Sequence, residues 1–178
     1  MTRIFDYTKF LSMLFALAIV AAGAVSISAQ SANGQGTLLV LDDGGNTVRR
    51  TFSFSARTDR DGNVRGNAVL HNPAFDGASG NQPYMLHINV SCLRVDGNIA
   101  YMGGTVRRTN DPSLVDAVFF AVQDNGQPGA GSDMISSVFF WDDDPTTTGD
   151  PQTCQLLPDP TGPSPIHVIE AGNIRVSQ

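Results

Sequence analysis

From Thr51 to His71 the chain changes character at every second residue. Phe52, Phe54 and Ala56 alternate with Thr51, Ser53 and Ser55; after Asp61-Gly62, Val64, Gly66, Ala68 and Leu70 alternate with Arg65, Asn67 and His71. A period of two sends successive side chains to opposite faces of a strand. Asp-Gly between two such runs tolerates positive φ, so it predicts a tight hairpin. A chain patterned this way folds as paired strands with one face wet and one dry.

The same grammar runs through the rest of the chain. Residues 30–36 read as a flexible Gly/Ser/Gln lead-in to a short strand over Thr37 to Leu41, closed by Asp42-Asp43-Gly44-Gly45-Asn46. A glycine- and proline-rich loop from Asn72 to Pro83 precedes a long strand from Tyr84 to Val95. There Leu86, Ile88, Val90 and Cys92 share one face while Leu93 and Val95 fall on the other. That change of phase marks either a β-bulge or a stretch buried on both faces. Asp96-Gly97-Asn98 predicts a second hairpin into Ile99 to Arg108, in which Gly103-Gly104 allows a bend or the close approach of another backbone. Leu114 to Asp116 suits a helical turn and Ala117 to Gln123 an apolar strand. Met134 to Trp141 is apolar on both faces and reads as a central strand or one covered on both sides. An irregular stretch to Pro165 leads to a last strand or pair over Ile166 to Ile169 and Asn173 to Val176.

Composition points the same way. Lys9 is the only lysine and Glu170 the only glutamate, so good surface helix formers are scarce. The expected fold is all-β, a single antiparallel barrel or sandwich of about eight strands over residues 37–178. The run of consecutive hairpins favours the barrel.

Arg3 and Lys9 precede an apolar run from Phe10 to Val25 that ends in the small residues Ser26, Ser28 and Ala29. This is the layout of a cleaved signal peptide over residues 1–29, with cleavage expected after Ala29. The 16-residue run falls short of the roughly 20 residues a membrane-spanning helix needs. The expected destination is outside the cell, in a periplasm or on the cell surface. No stable membrane span is expected after cleavage.

Export makes a disulfide the natural state of the two cysteines, Cys92 and Cys154. Closing their 62-residue separation stabilises by roughly 4 kcal/mol in the chain-entropy account. The chain has 11 basic and 17 acidic residues, a net charge of -6. That balance argues against a nucleic-acid partner.

The strings Thr51-Phe52-Ser53-Phe54-Ser55-Ala56, Val90-Ser91-Cys92-Leu93, Gly97-Asn98-Ile99-Ala100 and Gly103-Gly104-Thr105-Val106 resemble those of a group of secreted bacterial β-rich proteins, the post-COAP-1 modules. Val122-Gln123-Asp124-Asn125-Gly126, Asp133-Met134-Ile135-Ser136 and Gly172-Asn173-Ile174 fit the same pattern. The resemblance implies an exported all-β module without an assigned activity, and it transfers no catalytic residue.

His71, His87 and His167 read as independent residues rather than a metal site. Asp59-Arg60-Asp61-Gly62-Asn63 begins like a calcium loop, but its glycine comes too early and a hairpin turn explains it better. Asp142-Asp143-Asp144, with Asp150 and Asp159 nearby, reads as a solvated acidic loop. Ser79 lacks the spacing of a nucleophile elbow. Asn89-Val90-Ser91 has the pattern of a glycosylation site but falls within a strand. Tyr101 and Trp141 suit a platform for sugar rings, and Phe119, Phe120, Phe139, Phe140 and Trp141 suit either a core or the lining of a ligand cavity. No catalytic, cofactor or metal residue is assigned. The leading expectation is a non-catalytic exported module with a structural, adhesion or surface-recognition role and a possible polysaccharide contact. A small apolar-ligand carrier and a secreted hydrolase are the alternatives.

Overall fold

The computed structural model describes residues 29–41, 45–73, 84–111, 114, 116–126, 132–140, 149–158 and 162–178. The signal-peptide reading of residues 1–29 therefore falls almost wholly outside the described residues.

Among the described residues ten strands form one antiparallel sheet: β1 (Ser31–Leu41), β2 (Thr47–Thr58), β3 (Val64–Asn72), β4 (Tyr84–Asp96), β5 (Ile99–Thr109), β6 (Ala117–Gln123), β7 (Met134–Ile135), β8 (Phe139–Phe140), β9 (His167–Val168) and β10 (Ala171–Ser177). Their order is β10-β1-β2-β3-β4-β5-β6-β7-β9, with β8 paired to β6. The all-β antiparallel expectation holds, with two strands more than the eight expected. Among the described residues the main-chain ladder does not close. Its two ends, β9 and β10, are consecutive pieces of one chain segment joined through Ile169-Glu170, which brings them together.

The lead-in reading of residues 30–36 needs correction. Ser31 to Thr37 pairs with β10 on one side and β2 on the other. Polar, glycine-rich sequence looks flexible in isolation, but two flanking ladders fix it. Gly34 and Gly36 also serve the interior, since a Cβ at Gly34 would lie 2.8 Å from Phe54 Cζ and one at Gly36 would lie 2.9 Å from Phe52 Cζ. The two missing side chains make room for two rings.

Both hairpin turns form as read. Gly62 has φ of 83° and Gly97 has φ of 60°, conformations in which a Cβ would be strained. The dry face of the sheet joins Phe52, Phe54, Leu70, Leu86, Ile88 and Phe120 in one core, and Phe54 meets Phe120 edge-on at 6.0 Å. Each such side chain contributes roughly 1.5–3 kcal/mol on full burial.

The change of phase in β4 has both expected causes. Val90 pairs with Gly104 and Cys92 with Gly103, so Ser91 is an extra residue and the strand bulges there. Beyond the bulge Leu93 and Val95 take over the dry side, and Cys92 turns outward. Its outward side is nevertheless dry, because a 3-10 helix, Pro151–Leu156, lies over β4, β5 and β6. Asp150 caps this helix by accepting the Gln152 N–H at 2.9 Å. Cys154 is bonded to Cys92, so the only pair the sequence allowed is the pair that forms. Gln152 Nε2 donates to Ser91 O at 2.9 Å and Gln155 Nε2 to Leu93 O at 3.0 Å, serving carbonyls at the bulge. Gly103 admits the helix, since a Cβ there would lie 2.2 Å from Pro151 O.

The central strand expected over Met134 to Trp141 is also corrected. It is two short pieces, β7 and β8, both paired to β6. Between them the Ser136 hydroxyl accepts the Ala121 N–H at 2.9 Å and donates to Ser137 O, which breaks the ladder. A hydroxyl that bonds locally competes with strand pairing.

Candidate recognition face

The outward side of the sheet divides into a covered half and an open half. Over β4, β5 and β6 the 3-10 helix buries Cys92, Tyr101, Phe119 and Ala121 in a second apolar cluster. Tyr101 is only 5% exposed, so it is no sugar-stacking platform, and burial pushes its phenol pKa up. The signal for this cover was the two-sided apolar character of Ala117 to Gln123, which names no covering segment.

From β10 across to β5 a different surface is open. The register lines up Arg175, Asn33, Ser55, Asn67, Asn89 and Thr105, one from each strand, in a single row across the sheet. All six are exposed. A neighbouring row runs Asn173, Gln35, Ser53, Val69 and His87. The period-two pattern that buries Phe52, Phe54 and Ala68 puts these short polar side chains on the other face.

Two shallow depressions follow these rows. One of about 490 Å³ is lined by Asn33, Gln35, Ser53, Asn173 and Arg175, and one of about 540 Å³ by Arg57, Arg65, Asn89 and Ser91; Ser55 and Asn67 belong to both. Among the described residues, the side chains of Asn33, Ser55, Asn67, Asn89 and Thr105 make no hydrogen bond to another protein group, and Arg57 and Arg175 have no carboxylate partner. Arg65 lies 3.8 Å from Asp59 and Arg49 lies 3.3 Å from Glu170, both at the rim.

Charge is segregated by element. The six strands β1–β5 and β10 carry eight of the 11 basic residues, three in β2, one in β3, one in β4, two in β5 and one in β10, but only Asp96 of the 17 acidic ones. Of these eight, Arg57, Arg65 and Arg175 line the two depressions of the open face, whereas Arg50 lines the small cavity beside Leu38 and Phe52 and Arg94 donates to Gln155 O of the 3-10 helix.

The remaining sequence candidates scatter. His71 and His87 stand on the outward side of neighbouring strands, beside Met85 and Arg108 in a depression of about 440 Å³. His167 lies apart in β9. Asp59 works as a turn residue, its Oδ1 accepting the N–H groups of Asp61 and Asn63 at 2.9 Å each, which holds its carboxyl below the usual range. Asn89 projects from β4. Ser79, Trp141, Asp142-Asp143-Asp144 and Asp159 lie outside the described residues.

One pairing was not legible in the sequence. Ser137 Oγ lies 3.1 Å from His167 Nε2, and burial, then nearby Arg50, lowers the imidazole pKa. A hydroxyl beside a neutral imidazole is the first half of a nucleophile and base arrangement. Among the described residues no carboxylate is bonded to the other ring nitrogen, the orienting part of such a site. The pair spans 30 residues and sits in no local motif, so no sequence signal announces it. A cavity close by, lined by Leu38, Phe52, Leu70, Ile135 and Ser137, measures about 30 Å³.

Among the described residues no helix is long and apolar enough to cross a membrane. The chain matches no protein-family model, no curated protein and no solved structure.

Proposed function

We propose that the chain is an exported, non-catalytic recognition module, of the kind its likeness to post-COAP-1 modules implies, and that it binds a polysaccharide or cell-surface polymer through the open face of β10 to β5. The observation that carries the reading is the row Arg175-Asn33-Ser55-Asn67-Asn89-Thr105, a set of exposed polar groups whose hydrogen-bonding capacity is not used within the described protein. Uncommitted amides on a rigid sheet are preorganised for a hydroxyl-rich partner, because little side-chain or backbone freedom is lost on binding. The disulfide and the acidic net charge agree with an extracellular setting and a partner other than nucleic acid.

The carrier alternative needs an interior site of roughly 300 Å³ or more. The cavity beside Leu38 and Phe52 is about 30 Å³, room for one water, which favours the surface reading. The hydrolase alternative draws on Ser137 and His167. Equilibrium binding of the disulfide-intact protein to purified cell-wall and polysaccharide fractions tests the proposal. Retention that falls when Asn67 and Asn89 are both changed to alanine supports it; no retention on any fraction leaves a purely structural role.

A further inference from the structure

The open face carries charge as well as hydrogen-bonding groups. Arg57, Arg65 and Arg175 stand among Asn33, Ser55 and Asn67 in the two joined depressions; among the described residues neither lining includes a carboxylate, and Asp59 faces Arg65 from the edge at 3.8 Å. Elsewhere the chain is acidic, so this positive charge is a property of the face and not of the composition. Guanidinium groups pair with planar carboxylates through two parallel hydrogen bonds. Arg57 and Arg65 are cross-strand partners, and Arg175 stands two strands from Arg57 with Asn33 and Ser55 beside the path between them. That arrangement suits a polymer that carries carboxylates among many hydroxyls. DNA, with a phosphate about every 3.4 Å along each strand, offers few hydroxyls to the amides and hydroxyls of the row. Neighbouring strands lie about 4.8 Å apart, close to the advance of one pyranose ring along a glycan. A chain laid across the strands therefore meets one outward side chain per sugar.

Resting on the recognition reading above, we propose that the partner is an anionic polysaccharide bearing uronic-acid carboxylates, lying across β10-β1-β2-β3-β4 with its carboxylates on Arg175, Arg57 and Arg65. The occupant runs perpendicular to the strands and its hydroxyls meet Asn33, Ser55, Asn67 and Asn89.

Affinity electrophoresis and titration calorimetry with the full exported, disulfide-intact protein test this, using polygalacturonate, the same polymer fully methyl-esterified, and single-stranded DNA as probes. Polygalacturonate is expected to bind, and to bind less well as salt rises. The triple variant Arg57→Gln, Arg65→Gln, Arg175→Gln is expected to weaken binding about tenfold, the sum of three exposed ion pairs. All three side chains are exposed, and an unchanged thermal midpoint shows that the variant folds. Asn67→Lys, which adds a cation at the centre of the row, is expected to tighten polygalacturonate binding. Equal binding of the methyl ester overturns the anionic assignment and leaves glycan recognition standing. DNA binding as tight as polygalacturonate, and lost in the same triple variant, overturns the polysaccharide assignment. Binding to neither glycan overturns the uronate assignment, while the recognition reading is decided separately by the cell-wall and polysaccharide fractions.

Discussion

The carboxylate of Asp133 accepts the main-chain N–H of Ile174 at 2.8 Å, across 41 residues of sequence. Its other oxygen accepts the N–H of Asn125 at 2.9 Å, and its carbonyl accepts the N–H of Ile169 at 3.0 Å. Asp124 does the same for Val176 at 3.0 Å. Two aspartates therefore stand where a neighbouring strand would serve the outer edge of β10. Their short side chains span the seam at which the main-chain ladder stops.

Asp133 is 1% exposed, so its loss strands N–H groups with no water to replace the carboxylate. Asp133→Ala is expected to cost about 2–4 kcal/mol, and Asp124→Ala, at a partly buried site, about 1 kcal/mol. Urea unfolding of both variants measures this. Equal costs would show that the two bonds do not differ as their burial says.

The helix over β4 to β6 depends on its tether. Reduction of Cys92–Cys154, or Cys92→Ser with Cys154→Ser, is expected to remove up to roughly 4 kcal/mol. It should also uncover Tyr101. Burial raises this phenol above its ordinary value of 10.0, so its absorbance titration should move down toward that value on reduction. A titration that stays put would mean the apolar contacts hold the helix without the bond.

Gly34 and Phe54 share one volume. Adding a methyl at Gly34 brings it to 2.8 Å from Phe54 Cζ and 2.9 Å from Asn173 O. Gly34→Ala is expected to destabilise by about 1–3 kcal/mol through overpacking. Combined with Phe54→Leu it should cost less than the sum of the two single changes. A double-mutant cycle reads the coupling, and strict additivity would show that the ring is not what limits residue 34.

His167 links stability to pH. Its folded-state pKa lies below the ordinary 6.5, chiefly through burial and then through Arg50. As pH falls below about 6.5 the unfolded chain takes up this proton first, so the folded state loses stability until its own imidazole protonates. Urea midpoints are expected to fall between about pH 7.5 and about pH 5.5, and His167→Asn should flatten that change. Asp59 has the opposite sign and a lower window. Its stabilisation is complete above the ordinary 3.8 and is lost as pH drops through its depressed folded value. The two groups are therefore separable by pH alone.

Much of the open polar face was written in the alternation of β2 and β3. Once Phe52 and Phe54 are inside, Ser53 and Ser55 must be outside, and the same holds for Ala68 against Asn67. The residues that complete the row were less legible. Asn33 lay in a stretch read as a flexible lead-in, and Arg175 lay at the far end of the chain; only the pairing of β1 with β10 makes them neighbours of Ser55.

The sequence alone determined the elements whose causes are local: the faces of the strands, the Asp61-Gly62 and Gly97-Asn98 turns and, with two cysteines available, the identity of the disulfide. Period-two burial and positive-φ turns act over a few residues, so they can be read without knowing the fold. Tertiary structure decided what is set by distant partners. It put β10 beside β1, spanned the seam with Asp133 and Asp124, broke Met134 to Trp141 at Ser136, and hid Tyr101 under the helix at Pro151–Leu156. In each case the deciding group lies 15 or more residues away, and a side chain's environment is fixed by whatever the folded chain brings against it.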